Sequence, residues 1–509
     1  MKSYLTFFLV AVMSLGLVFL LVTRSRKDHP APGVDPEYVE VAADAAAPGA
    51  DAGAAVALAD AAAPIVAAEA AAPKPTERPL RVTTLGWELV AAGVALTAAD
   101  GGATGPLIEL APEATLEAVE ARLARGGTDP VGADIAVMPL PAFVIAYDRL
   151  RALDPRAFVV VGFSHGREEV HAAPGALLKA PPAADEVKLV ALGPATAADA
   201  TAKAAGTESA TVLGLFALDL LGVQATRVRM IAPGAPEAKA ALFSAVARGA
   251  ADERKLAFSS ADASRLIPIV AIAPKAQLDA SEAKMRDFAR AWLDGFERSR
   301  KDASNVARRL ANKEALPLAA GVGGAPEAIS LLERLGQIEP AGLAQQRALI
   351  GASAKGPVTL ETLAQRTWVI ARAGGLTTSA APSPLPIDDR IATAIGPAPS
   401  PPPSNAPAGD AGSADAGAFA ALPAGTTPLL VYRATDPASD AASVAAQIGF
   451  LSGVFEHAAF RVSAKGGEKA ARVIAASARD GFNLPSTRLA VARGEPAGVF
   501  ATVEVLGLP

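Results

Sequence analysis

The sequence predicts an α/β protein, because short apolar segments alternate with segments of helical period through residues 79–395. Alternation of this kind is typical of parallel sheets that helices cover on both faces. Two stretches rich in alanine and proline, residues 28–78 and 396–423, separate this central block from an apolar N-terminus and a small C-terminal block. The chain of 509 residues is long enough for several domains.

The composition excludes several kinds of chemistry. The chain has no cysteine, so disulfides, thiolate zinc sites and a cysteine nucleophile are impossible. It has only four histidines, and we expect neither a metal site nor a cofactor. A net charge of −5 without a clustered basic surface argues against a nucleic-acid partner.

The N-terminus predicts a membrane anchor at residues 1–27. Residues 5–22 are uncharged and apolar, and as a helix they would span roughly 27 Å, which is close to the bilayer core. A cleaved signal peptide and a buried core helix are the alternatives, but the apolar run is long and TRSRK follows it. The basic residues after the run would by charge bias leave the rest of the chain in the cytoplasm.

Residues 28–78 and 396–423 are predicted to be disordered linkers. Both consist largely of alanine, proline, aspartate and glycine, and such segments cannot bury enough apolar area to offset the entropy of ordering. They explain part of the alanine content, which is about 24% of the chain. They leave a central domain at 79–395 and a C-terminal domain at 424–509.

The central domain begins as alternating strands and helices and ends as helices. Strands are predicted at 80–85, 107–110, 133–138, 158–163, 169–173, 188–192, 227–231, 255–258 and 267–272. Helices are predicted at 88–99, 115–125, 141–153, 209–221, 237–248, 281–300, 303–312, 326–335 and 360–373.

Five segments of this domain resemble a known family in order and spacing. The opening LRVTTLGW, residues 80–87, resembles the first strand and ligand loop of type 2 periplasmic substrate-binding proteins. The most similar branch serves ABC transporters for nitrate, sulfonate and taurine and includes thiamine-precursor binders. The other four segments are GADIAVM at 132–138, FVVVGFSHG at 158–166, GTES at 206–209, and residues 285–296, which contain Arg-Ala-Trp.

The resemblance implies a two-lobed periplasmic-binding-protein-like fold that closes on a ligand. Lobe 1 would comprise about 79–175 and 266–395, and lobe 2 about 186–265. The implied ligand-binding residues are Trp87, Ser164, His165, Thr207, Glu208 and Ser209. Trp87 could instead pack between the lobes, and Ser209 could cap the helix that follows it.

One part of the family pattern is missing. The family has a further strand and an acidic proline segment after the lobe-two helix, whereas residues 249–255 run directly into the next strand. This segment would help to shape the hinge and the cleft, so its deletion predicts an altered or shallow ligand site.

Two chemical alternatives rest on isolated residues. Ser164 beside His165 suggests a hydrolase, but no strand–turn–helix elbow surrounds this serine. His165 and His171 could contribute to a zinc site, but no cluster of further ligands lies near them in the sequence. A solvated loop pair is the simpler interpretation, and we expect no enzymatic activity.

The C-terminal domain predicts a small α+β fold with strands at 428–433, 460–464, 488–492 and 499–506 and helices at 438–456 and 468–479. Its second half resembles an OmpA-like peptidoglycan-associating domain. Lys469 stands where that family has the arginine that binds the cell-wall peptide, and the family's aspartate has no counterpart. A lysine lacks the planar fork of arginine, so we expect weak wall binding at most.

Two functions therefore compete. The first is a solute-binding protein, tethered to the inner membrane by a single pass with its body in the periplasm. It would deliver a small ligand, anionic or sulfonate-like, to an ABC permease. The second is a cell-envelope scaffold or sensor in which the ligand and peptidoglycan sites are vestigial.

Overall fold

A computed structural model describes residues 78–96, 107–178, 181–182, 186–192, 207–247, 250, 252–314, 316–351, 356–396, 419 and 426–507. The predicted membrane anchor at 1–27 and nearly all of both predicted linkers lie outside these residues. Within the described part of the chain, no helix is both long enough and apolar enough to cross a bilayer.

The first sheet has six strands in the order β11-β4-β10-β3-β1-β2. These are β1 (Leu80–Leu85), β2 (Ile108–Glu113), β3 (Ile135–Pro139), β4 (Pro155–Ser164), β10 (Pro268–Pro274) and β11 (Ile338–Pro340). β1 pairs in parallel with β2 and β3, whereas β10 is antiparallel to β3 and β4. The chain therefore leaves this sheet after β4 and returns to its centre with β10.

The second sheet is built from the segment between those two strands. It has the order β7-β6-β8-β5-β9, with β5 (Glu168–Ala172), β6 (Val187–Leu192), β7 (Val228–Ile231), β8 (Phe243–Ala247) and β9 (Lys255–Ser259). β6 is parallel to β7 and β8, and β5 is antiparallel to β8 and β9. The predicted α/β body with two lobes is therefore present as two sheets joined by two crossing segments.

Eleven helices accompany these sheets in the described residues before the C-terminal domain. They are α1 (Ala91–Leu96), α2 (Leu116–Arg125), α3 (Leu140–Leu150), α4 (Thr207–Leu220), α5 (Lys275–Ala280), α6 (Glu282–Lys301), α7 (Ala303–Asn312), α8 (Ala328–Leu335), α9 (Gln346–Leu349), α10 (Leu360–Ala373) and α11 (Asp389–Ile395). Side chains define where some helices begin. The hydroxyl of Thr115 accepts the N–H of Ala118 at 3.3 Å, and that of Thr359 accepts the N–H of Thr362 at 3.2 Å.

The C-terminal domain is a four-stranded sheet with two helices. Its elements are β12 (Leu430–Arg433), α12 (Ala441–Val454), β13 (Ala458–Ala464), α13 (Gly467–Phe482), β14 (Leu489–Val491) and β15 (Ala501–Gly507), and the strand order is β12-β15-β13-β14. β15 lies between β12 and β13 and is antiparallel to both. The α+β class predicted for this domain is present.

The C-terminal domain packs on the segment that returns the chain to the first sheet. The backbone N–H of Arg265 donates to Val454 O at 3.2 Å, and the Arg265 guanidinium binds Glu456 at 2.8 Å. The rings of Phe258 in β9 and Phe455 lie 6.3 Å apart. One continuous apolar core includes residues of both lobes and of this domain.

The structure differs from the sequence prediction at residues 237–248. We predicted a helix there, but the chain forms a short 3₁₀ turn at Pro236–Ala238 and then strand β8. β8 lies between β6 and β5, and this central position buries all five of its residues. Residues 243–247, which we assigned to a helix, are therefore a strand of the second sheet.

The boundary between the lobes also differs from the prediction. We assigned the segment up to about residue 175 to lobe 1, but β5 at Glu168–Ala172 pairs only with β8 and β9 of the second sheet among its described partners. The chain therefore crosses between the lobes at residues 165–167.

Gln346 supplies hydrogen bonds that a strand partner would otherwise give. Its amide donates to Val160 O at 2.7 Å and accepts the Val160 N–H at 3.2 Å, and the side chain is fully buried. We expect Gln346→Met to lower the free energy of unfolding by about 1–3 kcal/mol, because both backbone groups of Val160 lose their partner. Denaturant unfolding followed by circular dichroism measures this change.

The matched control is Gln365→Met, at an exposed position of α10. It should change the unfolding free energy by less than about 0.5 kcal/mol. Equal effects of the two substitutions would contradict the assigned role of Gln346.

Candidate functional site

The two crossing segments meet and bond to each other between the lobes. Ser164 N–H, at the end of β4, donates to Ile267 O at 2.9 Å. Gly166 N–H donates to Ser260 Oγ at 2.8 Å, and Ser260 N–H donates to Glu168 O at 2.8 Å. Gly166 has a φ of 83°, which an L side chain rarely adopts, so a glycine suits this turn. These bonds hold together the two crossing segments, residues 164–168 and 260–267, which we call the hinge.

Glu168 lies at the centre of this hinge and is fully buried. Its carboxyl accepts a hydrogen bond from the hydroxyl of Ser164. Burial raises the pKa of Glu168, and the Arg167 guanidinium and the hydroxyls of Ser164 and Ser260 oppose that rise. The hinge thus contains an acid whose neutral form is favoured by its surroundings.

A buried ion pair joins lobe 1 to the crossing. Arg167 Nη2 lies 2.6 Å from Glu88 Oε1, and the residues are 9% and 3% exposed. Glu88 belongs to the 3₁₀ turn Trp87–Val90, which follows β1. A Cβ on Gly86, whose φ is 109°, would lie 2.6 Å from the Glu88 carboxylate. Glycine at position 86 therefore makes room for this carboxylate in the loop after β1.

Each partner of this ion pair also presents a buried atom without a hydrogen bond. Arg167 Nη1 and Glu88 Oε2 have no hydrogen-bond partner among the described residues, and the same holds for Glu168 Oε1. Buried polar atoms without partners are uncommon in folded proteins and often mark sites that bind a polar group. The hinge therefore encloses one N–H donor and two carboxyl oxygens that have no partner among the described residues.

Three of the residues predicted from the sequence lie near this hinge but differ in orientation, namely Ser164, His165 and Trp87. Ser164 is buried and directs its hydroxyl to Glu168. The His165 side chain is 44% exposed, and its Nδ1 lies 4.0 Å from Glu339. Trp87 is buried in the core of lobe 1, with Lys313 Nζ 5.9 Å from its ring centroid. Trp87 therefore packs within lobe 1 and not between the lobes.

Thr207, Glu208 and Ser209 form the first turn of α4. Ser209 is the third residue of the helix and not its cap, so the capping role considered from the sequence is wrong. Glu208 and Ser209 are buried, and Ser209 Oγ has no hydrogen-bond partner in the described ranges. The hydrogen bonds that Arg149 donates to Glu120 raise the pKa of Arg149, and the charge of Glu208 raises it further.

Lys469 is exposed in the first turn of α13. The nearby Gly466 N–H donates to Glu495 Oε1 at 3.0 Å, and Arg472 binds Glu468 at 2.7 Å one turn apart. An acceptor from the chain itself, Glu495, therefore occupies the start of this helix.

The described residues contain no cluster of three or more acidic or histidine side chains that could hold a metal ion. His171 has its two ring nitrogens 2.8 Å from Glu169 and 3.5 Å from Asp252.

Three cavities lie away from the predicted ligand residues. One separates residues 172–178 and 255–257 from 427–429, one lies beside α6 and β11, and one lies between α4, α10 and α12. None of the three is lined by the six ligand-binding residues predicted from the sequence.

Sequence reasoning missed Glu88, Arg167, Glu168 and Ser260. Charged side chains are expected at the surface unless they are paired, and Glu88 and Arg167 are 79 positions apart in the chain. The available signal was the Arg167-Glu168 pair directly after the Ser164-His165-Gly166 loop.

No protein-family model matches this sequence, and neither does any curated protein. Several solved structures are similar at low identity. The ligand-binding component of an ABC-type import system from Staphylococcus aureus, solved with zinc bound, matches with a TM-score of 0.38 at 10% identity, covering 63% of this chain and 99% of its own.

Two sulfonate-binding proteins also match. The periplasmic aliphatic sulphonate-binding protein from Escherichia coli has a TM-score of 0.37 at 15% identity over 62% of this chain and 91% of its own. A putative sulfonate-binding protein from Methylobacillus flagellatus has a TM-score of 0.39 at 11% identity over 62% and 93%. With identities and TM-scores this low, these similarities assign neither a ligand nor a function to this chain.

The pH dependence of stability tests the environment of Glu168. Because burial raises its folded-state pKa, its contribution to stability is fully present below the unfolded value and is lost as the pH rises through the folded value. Glu168→Gln should remove this part of the dependence, so the wild type should lose stability relative to the variant on going from pH 4 toward neutrality. Urea unfolding at a series of pH values measures the difference.

Glu333→Gln, at an exposed position on α8, is the control and should leave the wild-type pH curve unchanged. Parallel pH curves for the wild type and Glu168→Gln would contradict the assigned environment.

Proposed function

We propose that this chain is a membrane-tethered, extracytoplasmic solute-binding protein. Residues 79–395 hold a small anionic ligand, such as a sulfonate, between the two lobes and deliver it to an ABC permease. Residues 1–27 anchor the chain in the inner membrane by a single pass, with the body in the periplasm. The product is a bound ligand and not a chemical reaction.

The observation that carries this proposal is the free edge of Arg167. The guanidinium is buried between the lobes, Glu88 engages Nη2, and Nη1 has no hydrogen-bond partner in the residues described. Guanidinium groups bind sulfonate and carboxylate oxygens through paired N–H groups, and burial strengthens such contacts. Because Nη1 is buried, an anion with two oxygens would reach this edge when the lobes open, and it would bind beside Glu88 or displace it.

Glu88 acts in this proposal as an internal competitor. Its carboxylate lies against Gly86, in the loop after β1, and takes one guanidinium position that a ligand anion would use. The affinity for an added anion is then the difference between two similar interactions, which favours a weak and exchangeable complex.

Substitutions of the ion pair should change anion binding in opposite directions. Ethanesulfonate at a hundred times its dissociation constant should stabilise the full chain by about 2.7 kcal/mol. Arg167→Gln should abolish this effect, whereas Glu88→Gln should increase the affinity, since it removes the competing charge. Isothermal titration calorimetry and thermal unfolding measure both effects.

Arg286→Gln, at a partly exposed position of α6 far along the chain from the hinge residues, serves as the control and should bind as the wild type does. Absence of any heat or thermal shift with ethanesulfonate, nitrate and bicarbonate for both the wild type and Glu88→Gln would rule out the proposed solute site.

The second candidate is an envelope scaffold or sensor, and one observation favours it. Arg265, in the segment that returns to lobe 1, binds Glu339 of β11 and Glu456 of the C-terminal domain, both at 2.8 Å. Opening of the lobes would have to break or carry along these contacts. A body held in this way would work through protein contacts instead of ligand exchange.

The C-terminal domain is proposed to be OmpA-like with little or no affinity for peptidoglycan. Lys469 provides a point charge without the fork of an arginine, and Glu495 already accepts the N–H of Gly466 at the start of α13. We expect the full chain to stay in the supernatant when purified sacculi are sedimented, and Lys469→Ala to leave this distribution unchanged. Retention that Lys469→Ala abolishes would contradict this expectation and assign wall binding to Lys469.

A further inference from the structure

One helix of the C-terminal domain, α12, contacts elements of both lobes. The ring centroid of Phe450 lies 6.4 Å from that of Phe216 in α4 of lobe 2. One turn further along, a Cβ added at Gly453 would lie 2.5 Å from Val358 Cγ2, so the backbone of α12 approaches the residues before α10 closely. Within one turn, α12 therefore contacts α4 and the start of α10.

The helix α10 connects the lobes a second time. The rings of Trp368 in α10 and Tyr147 in α3 of lobe 1 are 5.1 Å apart and meet edge to face. On the side of lobe 2, Arg366 Nη2 of α10 lies 2.6 Å from Asp219 Oδ2 of α4. Because α10 packs on lobe 1 and α12 lies against both α10 and α4, separation of the lobes would have to break contacts of these two helices.

The end of α12 is also bonded to the hinge. The backbone N–H of the hinge residue Arg265 donates to Val454 O at 3.2 Å, and its side chain pairs with Glu456 at 2.8 Å. Between these two residues, the ring of Phe455 lies 6.3 Å from that of Phe258 in β9. Three consecutive residues of the C-terminal domain thus touch the hinge and the second sheet, so a turn of the lobes about the hinge would displace them.

The junction between the C-terminal domain and the lobes is incompletely filled. A cavity of about 230 Å³ separates residues 172–178 and 255–257 from 427–429, and one of about 760 Å³ lies between α4, α10 and α12. Atoms that border such spaces lose dispersion contacts, and the ion pair of Arg366 and Asp219 is partly exposed, which limits its contribution. The junction therefore suits a contact that can come apart.

We propose that the C-terminal domain is a releasable brace. While it is docked, it holds the lobes in the arrangement that buries Arg167, and it must release for an anion to reach that guanidinium. The first part concerns the fold alone, whereas the second rests on the solute function proposed above. Docking lowers the apparent affinity by the fraction of released chains, and because coupling is reciprocal, a bound anion favours release.

A cross-link tests the brace directly, because the chain has no cysteine of its own. A Cβ at Gly453 would lie 3.3 Å from Val358 Cβ, close to the separation of about 3.5–4.5 Å between bridged cysteines. The double variant Gly453→Cys/Val358→Cys should therefore form a disulfide under mild oxidation, and the loss of free thiols measures it. The reduced form of the same variant is the matched control.

Hydrogen exchange of hinge amides in the full chain measures release without any ligand. Arg167 lies between Gly166 and Glu168, whose backbone groups both bond to Ser260, so freeing its side chain loosens those bonds. The amides of Gly166 and Ser260 should exchange at least about tenfold more slowly in the oxidised variant than in the reduced one. Equal exchange rates, or a cysteine pair that stays reduced, would overturn the brace whether or not an anion binds.

Calorimetric titration with ethanesulfonate tests the coupling to the hinge site. The oxidised variant should bind at least about tenfold more weakly than its reduced form, and Glu456→Gln, which removes the ionic contact with the hinge, should bind about two- to fivefold more tightly than the wild type. Glu333→Gln, at an exposed position of α8, is the control and should bind as the wild type does.

The two readouts separate failure of the brace from failure of the solute site. Equal anion affinity of the oxidised and reduced forms would overturn the coupling and leave the solute site in place. Slower exchange in the oxidised form with no anion bound by any variant would refute the solute site and support the brace.

Discussion

The way the two lobes are joined depends on one buried carboxyl, that of Glu168. Both segments that cross between the sheets bond to Glu168 or to Ser260 beside it, through backbone and side-chain groups. A buried carboxyl of this kind is tolerated because hydroxyls and a guanidinium surround it. The relative placement of the two sheets follows from how these few groups satisfy one another.

The ion pair of Glu88 and Arg167 is a second buried polar interaction at the same hinge. Breaking a buried pair by removing one partner is costly, because the other charge stays without compensation. In the proposed complex, a ligand anion that takes the place of Glu88 restores a partner for Arg167 but leaves the Glu88 carboxylate, which is 3% exposed, to be protonated or moved to solvent.

Much of the fold could be predicted from the sequence, and the site could be predicted only in part. Amphipathic periodicity located α7 at 303–312 and α10 at 360–373 with the bounds the structure has. The prediction for residues 243–247 was wrong, because a run of alanine and other apolar residues suits a helix and a central strand equally. Pairing with β6 and β5 makes this segment a strand. The sequence predicted Ser164 at the end of a strand, but it did not reveal its partner Glu168. Whether this carboxyl is buried depends on the second crossing segment, which begins with Ser260, and that contact is distant in the chain.

The contact of Arg265 with Glu456 has a consequence for how the C-terminal domain behaves. Residues 396–429 connect α11 to β12 covalently, so docking of this domain is an intramolecular event. Joining two surfaces in one chain can raise their effective concentration to the millimolar range, and each doubling of the connecting length costs only about 0.6 kcal/mol. A contact surface of modest affinity then stays occupied, while a competing partner can still displace the domain and let it return.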